Sequence, residues 1–172
     1  MSRILDQRFL IRVILIILSC SNLLYALPDD REKPVHITAD SSTFDYKTGT
    51  NTYEGNVKVD QGSTHLTADR VITHTNAHHK LQEAEAIGIK QLAEYTTLPK
   101  PGEVVLHAKA KVIKFFPIES TVTLENDVIV TQGENSFHGP VIIYNMKNQT
   151  VSAPASKSGR TTIVIDPNKL KV

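Results

Sequence analysis

Cysteine is almost absent: the 172-residue chain has one, Cys20, within its first 26 residues. A body without thiols rules out a disulfide framework, a zinc knuckle and thiol catalysis there. Tryptophan is missing and aromatics make up only 6% of the chain. Neither charge dominates, with 19 Lys and Arg against 18 Asp and Glu. The basic excess of a dedicated nucleic-acid binder is therefore lacking, and no nucleic-acid partner is expected. At 22% charged and 40% apolar residues, an acidic disordered tail is excluded too. The length suits one ordinary domain or two small ones.

Long hydrophobic runs are also lacking, apart from one that is cut short. Arg3, Arg8 and Arg12 precede Val13-Ile14-Leu15-Ile16-Ile17-Leu18, which weakens at Ser19-Cys20-Ser21-Asn22 before Leu24-Tyr25-Ala26. A basic start, a short apolar middle and a small residue read as a secretory signal peptide, residues 1–26, cleaved after Ala26. The run ends early for a span of ~20 residues. Two alternatives stay open: an uncleaved anchor, since Leu24 is not small, and a lipoprotein signal at Ile17-Leu18-Ser19-Cys20, which Leu18 fits poorly. Cleavage removes three of the basic residues and Asp6, leaving 16 against 17. The expected product is a near-neutral exported domain, residues 27–172.

What fills that domain is period-2 alternation. Val35-His36-Ile37-Thr38-Ala39, Phe44-Asp45-Tyr46, Val57-Lys58-Val59, His65-Leu66-Thr67-Ala68 and Ile113-Lys114-Phe115 alternate apolar with polar. So do windows at 122–124, 128–130, 142–144 and 163–165. Alternation puts one row on each face of a sheet. Thr48-Gly49, Gln61-Gly62, Pro99-Lys100-Pro101-Gly102, Gln132-Gly133 and Ser158-Gly159 supply turns, so an all-β domain of short strands is expected. Residues 80–95 are rich in helix formers, and Leu81, Ala84 and Ile87 suggest a helical face. Gly88 in mid-run weakens a helix by ~1 kcal/mol, and the stretch is read as strand because of a repeat.

The two halves echo each other. A shift of 71 overlays Val57 on Val128, Val59 on Val130, Gly62 on Gly133, Leu66 on Phe137 and Val71 on Ile142. Upstream, a shift of 69 is read, matching Ala39 to Ala108, Phe44 to Ile113 and Tyr46 to Phe115. One sheet structure of two similar halves is expected, with the Pro99-Gly102 segment at the seam.

Candidate chemistry is sparse. His74, His78 and His79 cluster, but no Cys or patterned carboxylate accompanies them and the segment reads as a solvated hairpin tip. His36, His65, His107 and His138 occupy polar positions of alternating strands. Asp40, Asp45, Asp60 and Asp69 each stand beside a turn or strand end, where Asp hydrogen-bonds local backbone. No phosphate loop, nucleophile elbow or nucleophile–base signature is present. Neither an enzyme nor a bound metal or cofactor is expected. By pattern alone the Val- and Ile-rich rows favour a closed core, which any sheet protein has; a lipid groove would show the same alternation.

One resemblance separates these readings. Ile37-Thr38-Ala39-Asp40, Gly55-Asn56-Val57-Lys58-Val59-Asp60-Gln61-Gly62 and Ala68-Asp69-Arg70-Val71 together resemble the OstA-like domain of lipopolysaccharide-transport proteins. The second half repeats the signature as Asn126-Asp127-Val128-Ile129-Val130-Thr131-Gln132-Gly133 and Phe137-His138-Gly139-Pro140. The likeness spans residues 35–165, with Pro140 where the family favours Asp. It implies an open, twisted antiparallel β-jellyroll that carries lipopolysaccharide across the periplasm with its lipid A acyl chains inside. The implied groove residues are Val35, Ile37, Phe44, Tyr46, Val57, Val59 and Leu66, then more deeply Leu92, Leu106, Ile113, Phe115, Val128, Val130 and Tyr144. Edge-strand docking falls to Val35, Ile37 and Ala39 at one end and Thr161, Ile163 and Ile165 at the other. The implied partners are an inner-membrane-anchored LptC-like protein at the N-terminal edge, the N-terminal domain of an LptD-like outer-membrane translocon at the C-terminal edge, and further copies head to tail. Two alternatives are a membrane-anchored relative of the same pathway that keeps residues 1–26, and a periplasmic hydrolase on a β scaffold.

Overall fold

Alternating sequence becomes strand almost throughout. The computed structural model describes residues 30–99, 102–148 and 150–167; the expected signal peptide lies outside them. After a 3-10 turn at Asp30–Glu32 come β1 (His36–Thr38), β2 (Ser41–Asp45), β3 (Thr50–Gln61), β4 (Thr64–Thr75), β5 (Leu81–Ile87) and β6 (Ala93–Thr97). Then follow β7 (Leu106–Ala110), β8 (Val112–Phe116), β9 (Thr121–Gln132), β10 (Asn135–Asn145), β11 (Thr150–Ser152) and β12 (Thr162–Val164). Every pairing is antiparallel. Residues 80–95 are extended as expected, in two strands that break at Gly88. There an added Cβ would lie 2.1 Å from the Gln91 carbonyl oxygen, so glycine answers a close backbone approach.

The pairings resolve into two walls. Wall A runs β2-β3-β4-β5-β8-β9-β10-β11 and wall B runs β1-β3-β4-β6-β7-β9-β10-β12. The long strands β3, β4, β9 and β10 belong to both, one half to each wall. They cross over at bulges, between Glu54 and Val57 against β4 and between Gly139 and Val141 against β9. Gly55 and Asn56 (φ 78° and 48°) make the first crossing, and Asn126 and Asp127 (φ 62° and 55°) the matching one. Gly, Asn and Asp are the residues that tolerate this left-handed backbone, and a bulge bends its strand.

The walls meet in a closed apex. Val57, Val71, Ala86, Ala93, Ala108, Ala110, Ile113, Leu124, Val128 and Ile142 form the buried core. Four are alanines, the side chain that lets converging sheets approach. No helix among the described residues is long and apolar enough to cross a membrane.

The internal repeat is real, with one correction to its register. Thr50–Gln61 and Thr121–Gln132 match end to end at a shift of 71. The shift of 69 read upstream is overturned. Ile37 pairs with Val59 as Ala108 pairs with Val130, and Phe44 pairs with Asn51 as Phe115 pairs with Val122. The amides of Asp40 and Lys111 donate to the carbonyls of Gly55 and Asn126, both at 2.9 Å. Phe44 therefore corresponds to Phe115, and Ala39 to Ala110, at 71 throughout. The Gln-Gly motifs have one job in both halves. Gly62 and Gly133 take the positive φ (59° and 61°) that opens a two-residue hairpin loop. Gln61 and Gln132 donate to the carbonyls of Lys33 and Val104, pinning the chain that enters β1 and β7.

Candidate functional site: the cleft between the walls

Cross-strand partners share a face, so register alone traces what each wall presents inward. On wall B the row is Ile37, Val59, Leu66, Tyr95, Ala108, Val130, Phe137 and Ile163, each opposite the next. On wall A it is Phe44, Asn51, Thr73, Ala84, Phe115, Val122, Tyr144 and Val151. Both rows run from the N-terminal to the C-terminal edge, and wall B's carries no charged or amide side chain. The opposite faces carry ion pairs: Glu94 with Lys109 at 2.6 Å, and Lys114 between Glu85 and Glu125.

Between the rows, in the first half and across the seam, opens a cleft of about 870 Å³. Ile37, Val59, Leu66 and Tyr95 line it from wall B, and Asn51, Thr73, Ala84, Phe115 and Val122 from wall A, with Tyr53, Ala86 and Ile113 toward the apex. Phe44 extends the wall A face one strand outward, its ring edge-on to Tyr53 at 5.9 Å.

One end of the cleft has a polar clasp. Asp30, Lys33, Gln61 and Ser63 sit on its rim. The Asp30 carboxylate accepts from both the Ser63 amide, at 2.9 Å, and the Ser63 hydroxyl, and pairs with Lys33 at 3.2 Å. The Ser63 donors, with Lys33, hold Asp30 down at a pKa of about 2. The clasp thus ties the chain ahead of β1 to the β3–β4 hairpin.

The expected groove residues divide into groups. Val35, Ile37, Val59, Leu66, Ile113 and Phe115 line the cleft. Phe44, Val130 and Tyr144 continue its two rows, and Leu106 packs against the core edge on β7. Val57 and Val128 are apex residues, each 1% exposed, and offer no surface to a ligand. Tyr46 stands on the turn after β2, almost fully exposed, and Leu92 lies in the turn joining β5 to β6; both are off the rows. Tyr53, Tyr95, Val122, Phe137 and Val151 were not anticipated. Tyr95, Val122, Phe137 and Val151 each lie opposite an anticipated residue, so cross-strand register would have found them; Tyr53, opposite Ser42 and Val71, meets the anticipated Phe44 only ring to ring.

Among the described residues, β1 and β2 each pair only with β3, and β11 and β12 only with β10, leaving one side of each strand without a strand partner there. Ile37 lies in β1 and Ile163 in β12, with Val35, Ala39, Thr161 and Ile165 just beyond the strand ends.

The histidines and carboxylates hold local structure. His74 Nδ1 lies 3.2 Å from the Thr50 hydroxyl, and His78 and His79 occupy the exposed β4–β5 turn. Among the described residues, no three His, Asp or Glu side chains gather as a metal ion requires. The Thr48 hydroxyl and amide, and then the Lys47 amide, hydrogen-bond the Asp45 carboxylate and lower its pKa. Asp69 accepts from Lys90 and Ile89, and more weakly Gln91, which lowers its pKa and caps the turn between β5 and β6. Pro140, at the matching position, has no side-chain acceptor to offer, and a polar notch of about 440 Å³ lies beside it, lined by Lys111, Asp127 and Arg160 among others.

Known proteins share this architecture. Residues 36–150 match the family model described as "LptA/(LptD N-terminal domain) LPS transport protein". The lipopolysaccharide export system protein LptH of Pseudomonas aeruginosa is 33% identical over 156 residues, covering 87% of this chain and 88% of that protein. The corresponding LptA of Escherichia coli K12 is 26% identical, covering 90% of this chain and 83% of its own length. The crystal structure of P. aeruginosa LptH, described as the LptA-homologous periplasmic component of the lipopolysaccharide transport device, superposes with a TM-score of 0.72. It is 32% identical, covering 81% of this chain and all of that one. With two walls, a doubled Gln-Gly signature and these relatives, the chain belongs to the LptA/LptD N-terminal domain family of lipopolysaccharide transport proteins.

Proposed function

We propose that this chain is a periplasmic lipopolysaccharide carrier, part of a bridge that passes the lipid from the inner membrane to the outer membrane. The observation that carries the reading is the pair of inward rows running from one free edge to the other beside an open cleft. An acyl chain of about a dozen carbons costs roughly 10 kcal/mol to leave in water, at ~0.8 kcal/mol per CH₂. A carrier must cover such chains and still let them move on. Side chains such as Ile37, Leu66, Tyr95 and Phe115 give apolar cover without a deep directional anchor, while sugars and phosphates stay hydrated at the mouth. Nothing in this task requires bond chemistry from the chain.

The free edges supply the remainder. Unpaired strand edges invite strand addition. An inner-membrane-anchored partner docks at the β1 end, the outer-membrane translocon's N-terminal domain at the β12 end, and copies of the chain join head to tail between them. Export removes residues 1–26, and the intact mass of the exported protein checks this.

The test is photo-crosslinking in cells. A photoreactive residue at Ile37, Leu66 or Phe115 is expected to capture lipopolysaccharide, while one at Tyr46 or at Lys58, on the opposite face, captures little. Equal labelling at all five positions, or none at the first three, overturns the reading.

A further inference from the structure

Because the chain is a duplication, it already contains one junction between like units. The first half meets the second through β5·β8 on wall A and β6·β7 on wall B. In the repeat β8 answers to β2 and β7 to β1. Likewise β5 answers to β11 and β6 to β12, since Ala84 faces Thr73 as Val151 faces Tyr144, and Tyr95 faces Leu66 as Ile163 faces Phe137. Every strand of the seam thus has a counterpart at an edge of the sheet that the described residues form.

We infer that this internal seam is the template for the joint with a second copy, and that the joint closes fully on wall B but only partly on wall A. The inference rests on the head-to-tail carrier reading and adds its register. Transferring Tyr95 opposite Ala108 puts Ile163 opposite the next copy's Ile37. The flanking rungs become Ile165 opposite Val35 and Thr161 opposite Ala39. On wall A, Ala84 opposite Phe115 becomes Val151 opposite the next copy's Phe44. These rungs pair Val35, Ile37, Phe44, Val151, Ile163 and Ile165, all large apolar residues 36–53% exposed in the single chain. Three cross-joint pairs would cover them together.

The two walls do not close alike. On wall B, all the residues concerned carry both an N–H and a carbonyl. On wall A, the seam's rung Ile87 opposite Val112 transfers to Pro154 opposite Ser41; Pro154 has no N–H with which to carry the pairing on to its own β10, so β11 ends at Ser152 and offers the next copy a shorter strand than β5 offers β8. The joint also lacks the seam's charges. Glu94 and Lys109 become Thr162 and Thr38, while Glu85 and Lys114 become Ser152 and Thr43. The seam is held by ion pairs inside one chain; the joint's transferred rungs carry no such pair, and it is hinged along wall B.

Cysteine pairs test this, on a body that has no native thiol. Exported Ile37→Cys and Ile163→Cys proteins are mixed under mild oxidation. Directly opposed residues have Cα atoms about 4.5–5.5 Å apart, within disulfide reach. Pairs two residues out of register are about 7–8 Å apart and link poorly. The expected result is covalent dimers from Ile37→Cys with Ile163→Cys, few from Val35→Cys with Ile163→Cys, and several-fold slower linkage from Phe44→Cys with Val151→Cys. A second measurement installs the seam's charge pair: Thr38→Lys with Thr162→Glu should tighten self-association about two- to fivefold at low salt, neither change alone doing so. Dimers that prefer the displaced pair overturn the template, and equal linkage on both walls overturns the hinge. A protein that stays monomeric and links at no pair overturns the head-to-tail reading itself.

Discussion

The two apex valines provide a sharp check on the division between core and cleft. Val57 and Val128 are equivalent in the repeat, each 1% exposed and each within the buried cluster. Valine to alanine at either removes two methyl-sized groups, about 1.6 kcal/mol of transfer free energy at ~0.8 kcal/mol each. A partly relaxed cavity adds to this, so about 2–3 kcal/mol is expected. For a domain of this size that lowers the melting temperature by about 4–12 °C. Urea unfolding followed by circular dichroism should show Val57→Ala and Val128→Ala within about 0.5 kcal/mol of each other. Lipopolysaccharide binding measured well below the melting temperature should hardly change. Phe115→Ala should do the reverse, weakening binding more than these apex changes while costing less stability than a buried phenylalanine. A cost below 0.5 kcal/mol at either valine, or a binding loss as large as that of Phe115→Ala, would refute the assignment of the apex as sealed core.

Three further outcomes follow from the geometry. Gly88→Ala should cost about 2–3 kcal/mol in urea unfolding, because its Cβ would meet the backbone of Gln91, Leu92 and Ala93 within 2.8 Å; a neutral result would mean the β5–β6 turn relaxes freely. Asp69→Ala leaves the Ile89, Lys90 and Gln91 amides without their acceptor, so hydrogen exchange there should speed up severalfold while the amides of residues 122–124 stay unchanged. The Asp30 clasp favours the carboxylate, with a folded pKa of about 2 against an ordinary 3.8. Its contribution is therefore complete above about pH 4 and fades as pH falls toward 2; NMR titration of the Ser63 amide should show a midpoint near 2, and one near 4 would refute the clasp.

How far the fold could be read in advance depended on what alternation can encode. The windows around Ile37, Val59, Leu66, Ile113 and Val130 were legible as strands because period-2 patterning is a one-dimensional property. Register is not. A shift of 69 and a shift of 71 differ by two residues, which leaves every side chain on its own face, so apolar matching cannot choose between them. The choice is made by the crossing bulges, where the Asp40 and Lys111 amides reach the Gly55 and Asn126 carbonyls. The alignment of His36 with His107 at 71 was the available clue. Tyr46 and Leu92 were misplaced for a related reason: an apolar residue just past a strand end satisfies the pattern but lies outside the ladder. Burial was the other hidden quantity. Val57 and Val59 are alike in sequence, yet one is sealed at the apex and the other lines the cleft, because depth depends on distance from the bulge rather than on residue type.

That dependence on depth gives the molecule its working shape. The apex packs Ala86, Ala93 and Ala110 among valine, isoleucine and leucine, and the bulkiest side chains, Tyr95, Phe115, Phe137 and Tyr144, stand further out on the rows. Small residues let the walls converge, and large ones further out hold them apart. A wedge built this way cannot close on itself without burying aromatic bulk in a space sized for alanine, an overpacking cost of about 1–3 kcal/mol per site. Nor can it open indefinitely, because β3, β4, β9 and β10 are continuous through both walls. The cleft is therefore a property of the packed apex rather than of any single lining residue. Individual changes along the rows should lower affinity by degrees, whereas enlarging an apex alanine should disturb the whole length of the groove.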